Sequence, residues 1–288
     1  MKRFAFLFIF TSLVWLSPAQ DTGLKIITFN IRYDNPQDSE YSWKFRRPLM
    51  VDLLRSEQPD LIGFQEVLKN QLSDLSGSLK DYSWFGIGRD DGKDKGEFSV
   101  IFFRSGRFTR LGGSTFWLSL TPDVPGSRSW NSACTRIVTW VKLADKESGR
   151  VFFIFNTHFD HVSVLARSES AKMLLQRVHD IAGKNTSIIT GDFNDTLKSA
   201  PLNILTSGTD GFTNTADLSK KAPEGPDYSF IGFPFDPSKG NTIDFIFLKN
   251  KGNIEVAKHR VITYHAGNKY PSDHLPVCTE IRIPARHP

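Results

Sequence analysis

Nine short apolar runs rich in β-branched and aromatic residues divide the chain, at 24–31, 61–64, 98–103, 137–143, 151–155, 187–189, 243–248, 256–263 and 277–283. Runs of this length bounded by Gly, Pro, Asn and Asp read as strands. Helical spacing is confined to a few places. Leu68, Leu72, Leu75 and Leu79 repeat on one face, and Ala171, Leu174, Leu175, Val178, Ile181 and Ala182 do so before Gly183 stops the run. A third helix is expected over 48–57, with Pro48 near its start and Pro59 beyond its end. Strands clearly outnumber helices, without regular βαβ alternation. The expected class is therefore α/β of the α+β kind, with mixed sheets covered by helices and no doubly wound parallel sheet.

Acidic and amide residues are depleted within strands, so their presence at the ends of these runs needs a reason. Asn30, Glu66 and His158 close their runs, and Asp192 and Asn194 follow the run at 187–189. Asp244 opens its run, and Asp273 and His274 immediately precede theirs. In an antiparallel pair the C-terminal end of one strand lies beside the N-terminal end of its neighbour. Mixed sheets can therefore gather all of these groups on one rim. Such a rim is rich in oxygen ligands, holds two imidazoles and has no thiolate, which suits Mg²⁺, Mn²⁺ or Ca²⁺ better than Zn²⁺. Hard divalent ions serve best where anionic oxygen must be neutralised, so the rim points to phosphate ester chemistry.

Of the 288 residues, 39% are hydrophobic and 23% charged, enough to bury a substantial core. Lys2 and Arg3 precede an apolar run at 4–16 and the small-residue string Ser17-Pro18-Ala19, a pattern expected of a signal peptide over 1–20. One domain is expected over 21–288. The run is shorter than the roughly 20 residues that span a bilayer, so no stable membrane span is expected after processing, and the protein is expected in the periplasm or outside the cell. Loss of Lys2 and Arg3 takes the formal charge from +5 to +3. With basic residues only in pairs, such as Arg46-Arg47 and Lys220-Lys221, the chain lacks the dense clusters that hold long nucleic acid. Nothing indicates an obligate protein partner. Cys134 and Cys278 both lie in apolar stretches read as strands, and two readings stand: one disulfide or two buried thiols.

Six strings now stand in order along the chain: Thr28-Phe-Asn30-Ile-Arg32, Gln65-Glu66-Val67, Asn156-Thr-His158-Phe-Asp-His161, Gly191-Asp192-Phe-Asn194, Ile243-Asp244-Phe-Ile and Ser272-Asp273-His274-Leu-Pro-Val277. Together they resemble the endonuclease/exonuclease/phosphatase superfamily, which includes pancreatic-type deoxyribonuclease, abasic-site endonucleases, inositol polyphosphate 5-phosphatases and neutral sphingomyelinases. The stretches Trp43-Lys-Phe-Arg46-Arg47-Pro48, Gly88 to Phe98, Phe116-Trp-Leu-Ser119 and Arg136-Ile-Val-Thr-Trp140 resemble an exported bacterial subgroup. The resemblance implies a DNase I-like four-layer α-β-β-α sandwich of two packed mixed β-sheets. It also implies phosphate ester hydrolysis with Mg²⁺ or Mn²⁺.

The resemblance assigns Glu66 as the principal metal carboxylate, helped by Asn30 and Asp273. It makes Asp192 and Asn194 the pair that orients and deprotonates the attacking water, and sets His158 against the scissile phosphate, as a contact or as leaving-group acid. Asp244 and His274 form a pair that stabilises charge on the transferring phosphoryl group; an alternative makes His274 the base. Arg136, Arg46 and Arg89 are candidates for phosphate binding because a guanidinium offers several donors, and His161 stands close behind them. The segment Phe230-Ile-Gly-Phe-Pro-Phe235 is either a specificity wall or packing beneath a loop. The expected substrate is a phosphorylated small molecule, a nucleotide or a nucleic acid, with nuclease, sugar or inositol phosphatase, and phospholipid phosphodiesterase as the options. The rival class, a non-catalytic binding module on the same fold, suits the sequence less well because every matched position carries a competent side chain.

Overall fold

The computed structural model describes residues 21–207, 211–236, 238, 240–249 and 254–284; the expected leader at 1–20 lies outside them. Two six-stranded sheets pack face to face. The first has the order β11 (Glu255–Val261), β12 (Val277–Ile283), β1 (Thr22–Asn30), β2 (Leu61–Val67), β4 (Phe98–Arg104) and β3 (Tyr82–Phe85). The second has the order β5 (Phe108–Trp117), β6 (Ile137–Asp145), β7 (Val151–His158), β8 (Ser187–Asp192), β10 (Asp244–Lys249) and β9 (Thr213–Asn214). α1 (Trp43–Glu57) and α2 (Lys69–Ser78) contribute to an apolar cluster on the outer face of the first sheet, with Met50, Leu53 and Leu72 against Phe29, Phe64 and Phe102. α3 (Val164–Ala182) and α4 (Ala200–Thr206) do the same on the second, with Ala171, Leu174 and Leu202 against Phe155, Ile189 and Phe247. A short helix, α5 (Thr215–Leu218), follows β9. The expected four-layer sandwich is present.

The two sheets repeat one strand pattern. Each centres on a parallel pair, β1 with β2 and β7 with β8, joined through α1 and α3 respectively. Each pair is flanked by antiparallel strands, β12 and β4 in one sheet, β6 and β10 in the other. The C-terminal ends of the parallel strands therefore meet the N-terminal ends of their neighbours on one rim. The sequence contains no visible repeat because only the topology is doubled.

Between the sheets lies an apolar cluster including Leu24, Ile26, Leu61, Ile101, Val141, Ile154, Ile188 and Ile246, each such side chain worth about 1.5–3 kcal/mol on burial. Toward the rim the contact turns polar. Gln65 Nε2 donates to Thr28 Oγ1 and to Asn156 Oδ1, at 3.0 and 2.6 Å, while Asn156 Nδ2 donates across the interface to the carbonyls of Phe64 and Val100. Thr190 Oγ1 also donates to Asn156 Oδ1. Gly63 admits this network: a Cβ there would stand 2.1 Å from Thr190 Oγ1 and 2.7 Å from Asn156 Oδ1.

Three strands were not anticipated. β3 and β9 are very short, β5 carries Gly112 and Gly113 beside a register shift, and all three are sheet edges with half-exposed patterns. The third helix begins at Trp43, five residues before Pro48, which stands inside it. Tertiary bonds override the proline here, since Trp43 Nε1 donates to Asp74 and Arg46 donates to surrounding carbonyls. Cys134 lies in the loop ahead of β6, not in a strand, and Cys278 lies in β12 of the other sheet; both are free thiols. Burial pushes the Cys278 thiol up to about 12.

Gly63→Ala is expected to cost about 3 kcal/mol through overpacking between the sheets, a fall of roughly 6–12 °C in Tm for a chain of this size. Urea denaturation checks it, and a loss under about 0.5 kcal/mol would show that the interface yields freely.

Candidate active site

The rim is built by strand register. Asp192, the last residue of β8, pairs directly with Asp244, the first of β10, and with His158, the last of β7. Asn30 ends β1 beside Gln65. Glu66 lies where the β2–β4 register shifts between Phe64 and Val67, and its φ is +60°. That bulge turns Glu66 to the rim while Gln65 stays buried in the inter-sheet network. Arg32 and Asn194 also have positive φ, +55° and +50°. Non-glycine residues with this backbone cluster where a site over-determines its geometry.

The side chains converge. Asn30 Nδ2 donates to Glu66 Oε1 and to Asp192 Oδ2, both at 2.9 Å, and so ties the first sheet's carboxylate to the second's. Its Oδ1 accepts the Arg32 N–H. In this arrangement Asn30 spaces two carboxylates with its nitrogen. Asp192 Oδ1 accepts the Asn194 main-chain N–H at 2.9 Å, and Asn194 Nδ2 donates to His158 Nε2 at 2.9 Å and to the Phe159 carbonyl. His158 Nε2 is 3.4 Å from Asp192 Oδ2, and His274 Nε2 is 3.7 Å from the same oxygen. His274 Nδ1 donates to Asp244 Oδ2 at 2.8 Å. Asp192, Asp244 and His274 offer ligand atoms within 4.8 Å of one another and are all buried.

Electrostatics divides the roles. Burial and the charge of Asp244 push the Asp192 carboxyl up to about 7. Burial alone would strip the proton from His274, but Asp244 and Asp192 outweigh it and hold this imidazole at about 10. Held as a cation, His274 balances the charge of the two carboxylates it touches, and the same three side chains also offer a cluster of metal-ligand atoms. Burial, reinforced by the charges of Arg136 and Arg89, drives His158 well below the usual histidine range. Asp273 is pushed up by burial and by the nearby Glu66.

The four substrate candidates separate. Arg136 donates from Nη2 to His161 Nδ1 at 2.9 Å and lies 3.7 Å from Asp160. Arg89 forms a paired bridge with Glu97 at 2.7 Å on each side. Arg46 is removed from the substrate list: it is 2% exposed and its guanidinium donates to the carbonyls of Tyr41, Ile31, Pro271 and Arg32. It fastens the loop after Asn30 to the segment before Asp273, and so positions metal-side groups from beneath.

Sequence reasoning missed Glu97, Asp160 and Ser229. Glu97 carried the same signal as Asp244, an acid directly ahead of a strand. Asp160 sits between His158 and His161, and its carboxylate accepts main-chain N–H groups of Ala133, Cys134, Val162 and Ser163. Ser229 Oγ donates to Asp244 Oδ2 at 2.7 Å from a loop with no chemical signature. The segment 230–235 packs beside the site. The Phe230 ring lies 4.9 Å from that of His274, and Phe233 stacks on Tyr41.

Arg46→Met is expected to lower stability by roughly 3–5 kcal/mol, because buried carbonyls left without donors cost about 1–3 kcal/mol each, in part relieved by water. A thermal melt within 2 °C of wild type would show that they find other donors.

Comparison with known proteins agrees with this geometry. Residues 27–274 match the Endonuclease/Exonuclease/phosphatase family. The structure resembles the endonuclease/exonuclease/phosphatase from Bacteroides vulgatus with a TM-score of 0.86 and 35% identity, covering 91% of this chain and 99% of that one. It also resembles a mannosyl-6-phosphatase of Bacteroides thetaiotaomicron, with a TM-score of 0.82 and 32% identity over 90% of this chain and 99% of that one. An uncharacterized protein of Acanthamoeba polyphaga mimivirus is 28% identical over 88% of this chain and 98% of its own length. Order of motifs, doubled sheet topology and a shared rim thus have one source: the chain belongs to the endonuclease/exonuclease/phosphatase family.

Proposed function

We propose that this protein is a divalent-metal-dependent phosphoester hydrolase acting on small phosphorylated molecules. The observation that carries the reading is the Asn30 amide, which locks Glu66 beside Asp192 while His274 is held as a cation within reach of the same oxygen. The likeness to a mannosyl-6-phosphatase supports the sugar phosphate option, and the low net charge does not favour a nuclease.

The side chains on the Glu66 side fit Mg²⁺ or Mn²⁺. Glu66 and Asp273 offer hard oxygens, and the rise in the Asp273 carboxyl, from burial first and then from Glu66, is the mark of like charges that a cation between them would relieve. When bound, such a cation supplies positive charge that polarises the phosphate.

The chain's own groups supply the rest. Asp192, poised near neutrality, accepts a proton from water that Asn194 helps to orient, and the resulting nucleophile attacks phosphorus in line. His274 is already protonated at neutral pH, so it serves as stabiliser of phosphoryl charge and leaves the base role to Asp192. Its proton stays in place because Asp244, itself fixed by Ser229, accepts from Nδ1. His158 accepts from Asn194 on Nε2, which leaves its proton on Nδ1. A neutral imidazole with so low a proton affinity donates a hydrogen bond to a phosphoryl oxygen; it is not the leaving-group acid.

Export to the periplasm or beyond belongs to the same reading, resting on the leader at 1–20, which lies outside the described residues. No described helix is long and apolar enough to cross a membrane. Sequencing the N-terminus of native protein is expected to find Gln20 or Asp21 first; Met1 on a soluble cytosolic product would exclude it.

Activity is expected to need Asp192 ionised and His274 protonated, so kcat/KM should rise through about pH 7 and fall as pH passes about 10. Asp244→Asn should move the alkaline limb to lower pH, because the anion that holds the His274 proton is gone. Asp192→Asn should lower kcat on the order of a thousandfold with an unchanged fold, and EDTA should abolish turnover until Mg²⁺ or Mn²⁺ is restored. Full turnover by Asp192→Asn would defeat the mechanism.

A further inference from the structure

Arg136 presents an unmet demand beside this site. The residue is 5% exposed, yet its Nε and Nη1 have no hydrogen-bond partner among the described residues. Asp160 balances its charge at 3.7 Å but gives no hydrogen bond, since its carboxylate is turned to four main-chain N–H groups. Buried cationic donors left unpaired are costly, and retained ones call for a ligand. Two further donors are in the same condition: His158 Nδ1 and Arg89 Nε are buried and unpaired.

These donors surround one place. Val138 pairs with Thr157, so Arg136, just ahead of β6, stands one step beyond His158 at the rim. The charges of both arginines fall on His158, and those of Arg89 and Arg136 fall on Glu97 as well. The donors therefore lie on the His158 and Asn194 side of the rim, with Glu97 and its neighbour Glu66 next to them. His161, an exposed residue, is bonded to Nη2. An incoming oxygen takes the place of that imidazole at the guanidinium.

We propose that Arg136 makes the enzyme a phosphomonoesterase: it receives the third terminal phosphoryl oxygen, which a monoester has and a diester has replaced by an ester-linked group. The inference rests on the hydrolase reading above and narrows its substrate class. A monoester carries up to two negative charges on three terminal oxygens. His274 and the Glu66 side of the rim serve two of these, and Arg136 with the His158 Nδ1–H serves the third. A diester would set an alkyl or aryl group against a buried guanidinium and leave its donors without an acceptor.

Two measurements test this on the full chain. Calorimetry with inorganic phosphate and metal-free protein in EDTA is expected to show binding by wild type, weakened at least tenfold in Arg136→Met and less in Arg136→Lys. With Mg²⁺, kcat/KM for p-nitrophenyl phosphate is expected to fall a hundredfold or more in Arg136→Met, while that for methyl p-nitrophenyl phosphate stays within about threefold. Arg136→Lys keeps a charge in place and is expected to retain an intermediate monoester rate, which guards against a variant that merely fails to fold. Equal phosphate affinity in wild type and Arg136→Met, no binding by wild type, or parallel loss on both esters overturns the proposal. If wild type hydrolyses neither ester, the hydrolase reading fails, while the phosphate titration still decides whether Arg136 is an oxyanion receptor.

Discussion

The site exists because two sheets approach closely enough for one amide to span them. Sheets normally pack about 10 Å apart, and no short side chain bridges that gap through an ordinary aliphatic core. Here Gly63 removes a side chain at the decisive point, and Gln65, Asn156, Thr28 and Thr190 fill the space with a bonded polar layer. Above that layer Asn30 reaches from the end of β1 to Asp192 at the end of β8. Without the close approach the first sheet would own Glu66, Asp273 and His274 and the second Asp192, Asp244 and His158, with no rim shared between them.

Bringing the ends together concentrates negative charge in a dry place. Asp192 and Asp244 face each other across a strand pair, an arrangement that would drive one of them neutral if nothing intervened. The fold resolves this by inserting His274 as a buried cation whose two nitrogens address the two carboxylates. Burial first, and then the same repulsion, raises Asp192 toward neutrality. On the other side of the rim, burial and Glu66 raise Asp273 against the opposing charges of His274, Arg32 and Arg46. Arg136, Arg89 and a neutral His158 give a third region the opposite character, rich in donors.

Much of this was legible in residues alone. Asn30, Glu66, His158, Asp192, Asp244 and Asp273 stood out because strand interiors exclude such groups, so their places at strand ends already implied a common rim. Edge strands β3, β5 and β9 were invisible because β3 and β9 are too short to show a period and β5 is half-exposed and carries two glycines. The start of α1 was misplaced because Pro48 is a strong local signal and Arg46's carbonyl bonds are not local. Arg46 itself looked like a phosphate ligand: a guanidinium suits phosphate and main-chain carbonyls equally, and only its surroundings decide which it meets.

The order of the chain therefore determined which chemistry was available: hard oxygen ligands, two imidazoles and no thiolate, placed where strands begin and end. Tertiary structure decided what each group does. Charge, proton affinity and free donors depend on distances between residues as far apart as Asn30 and Asp192, and those distances come from sheet packing at Gly63, not from neighbours in sequence. Asp192 is raised toward neutrality, His274 is held as a cation and Arg136 keeps unpaired donors for that reason: burial and partners set a group's protonation and hydrogen bonding, and both are properties of the folded state.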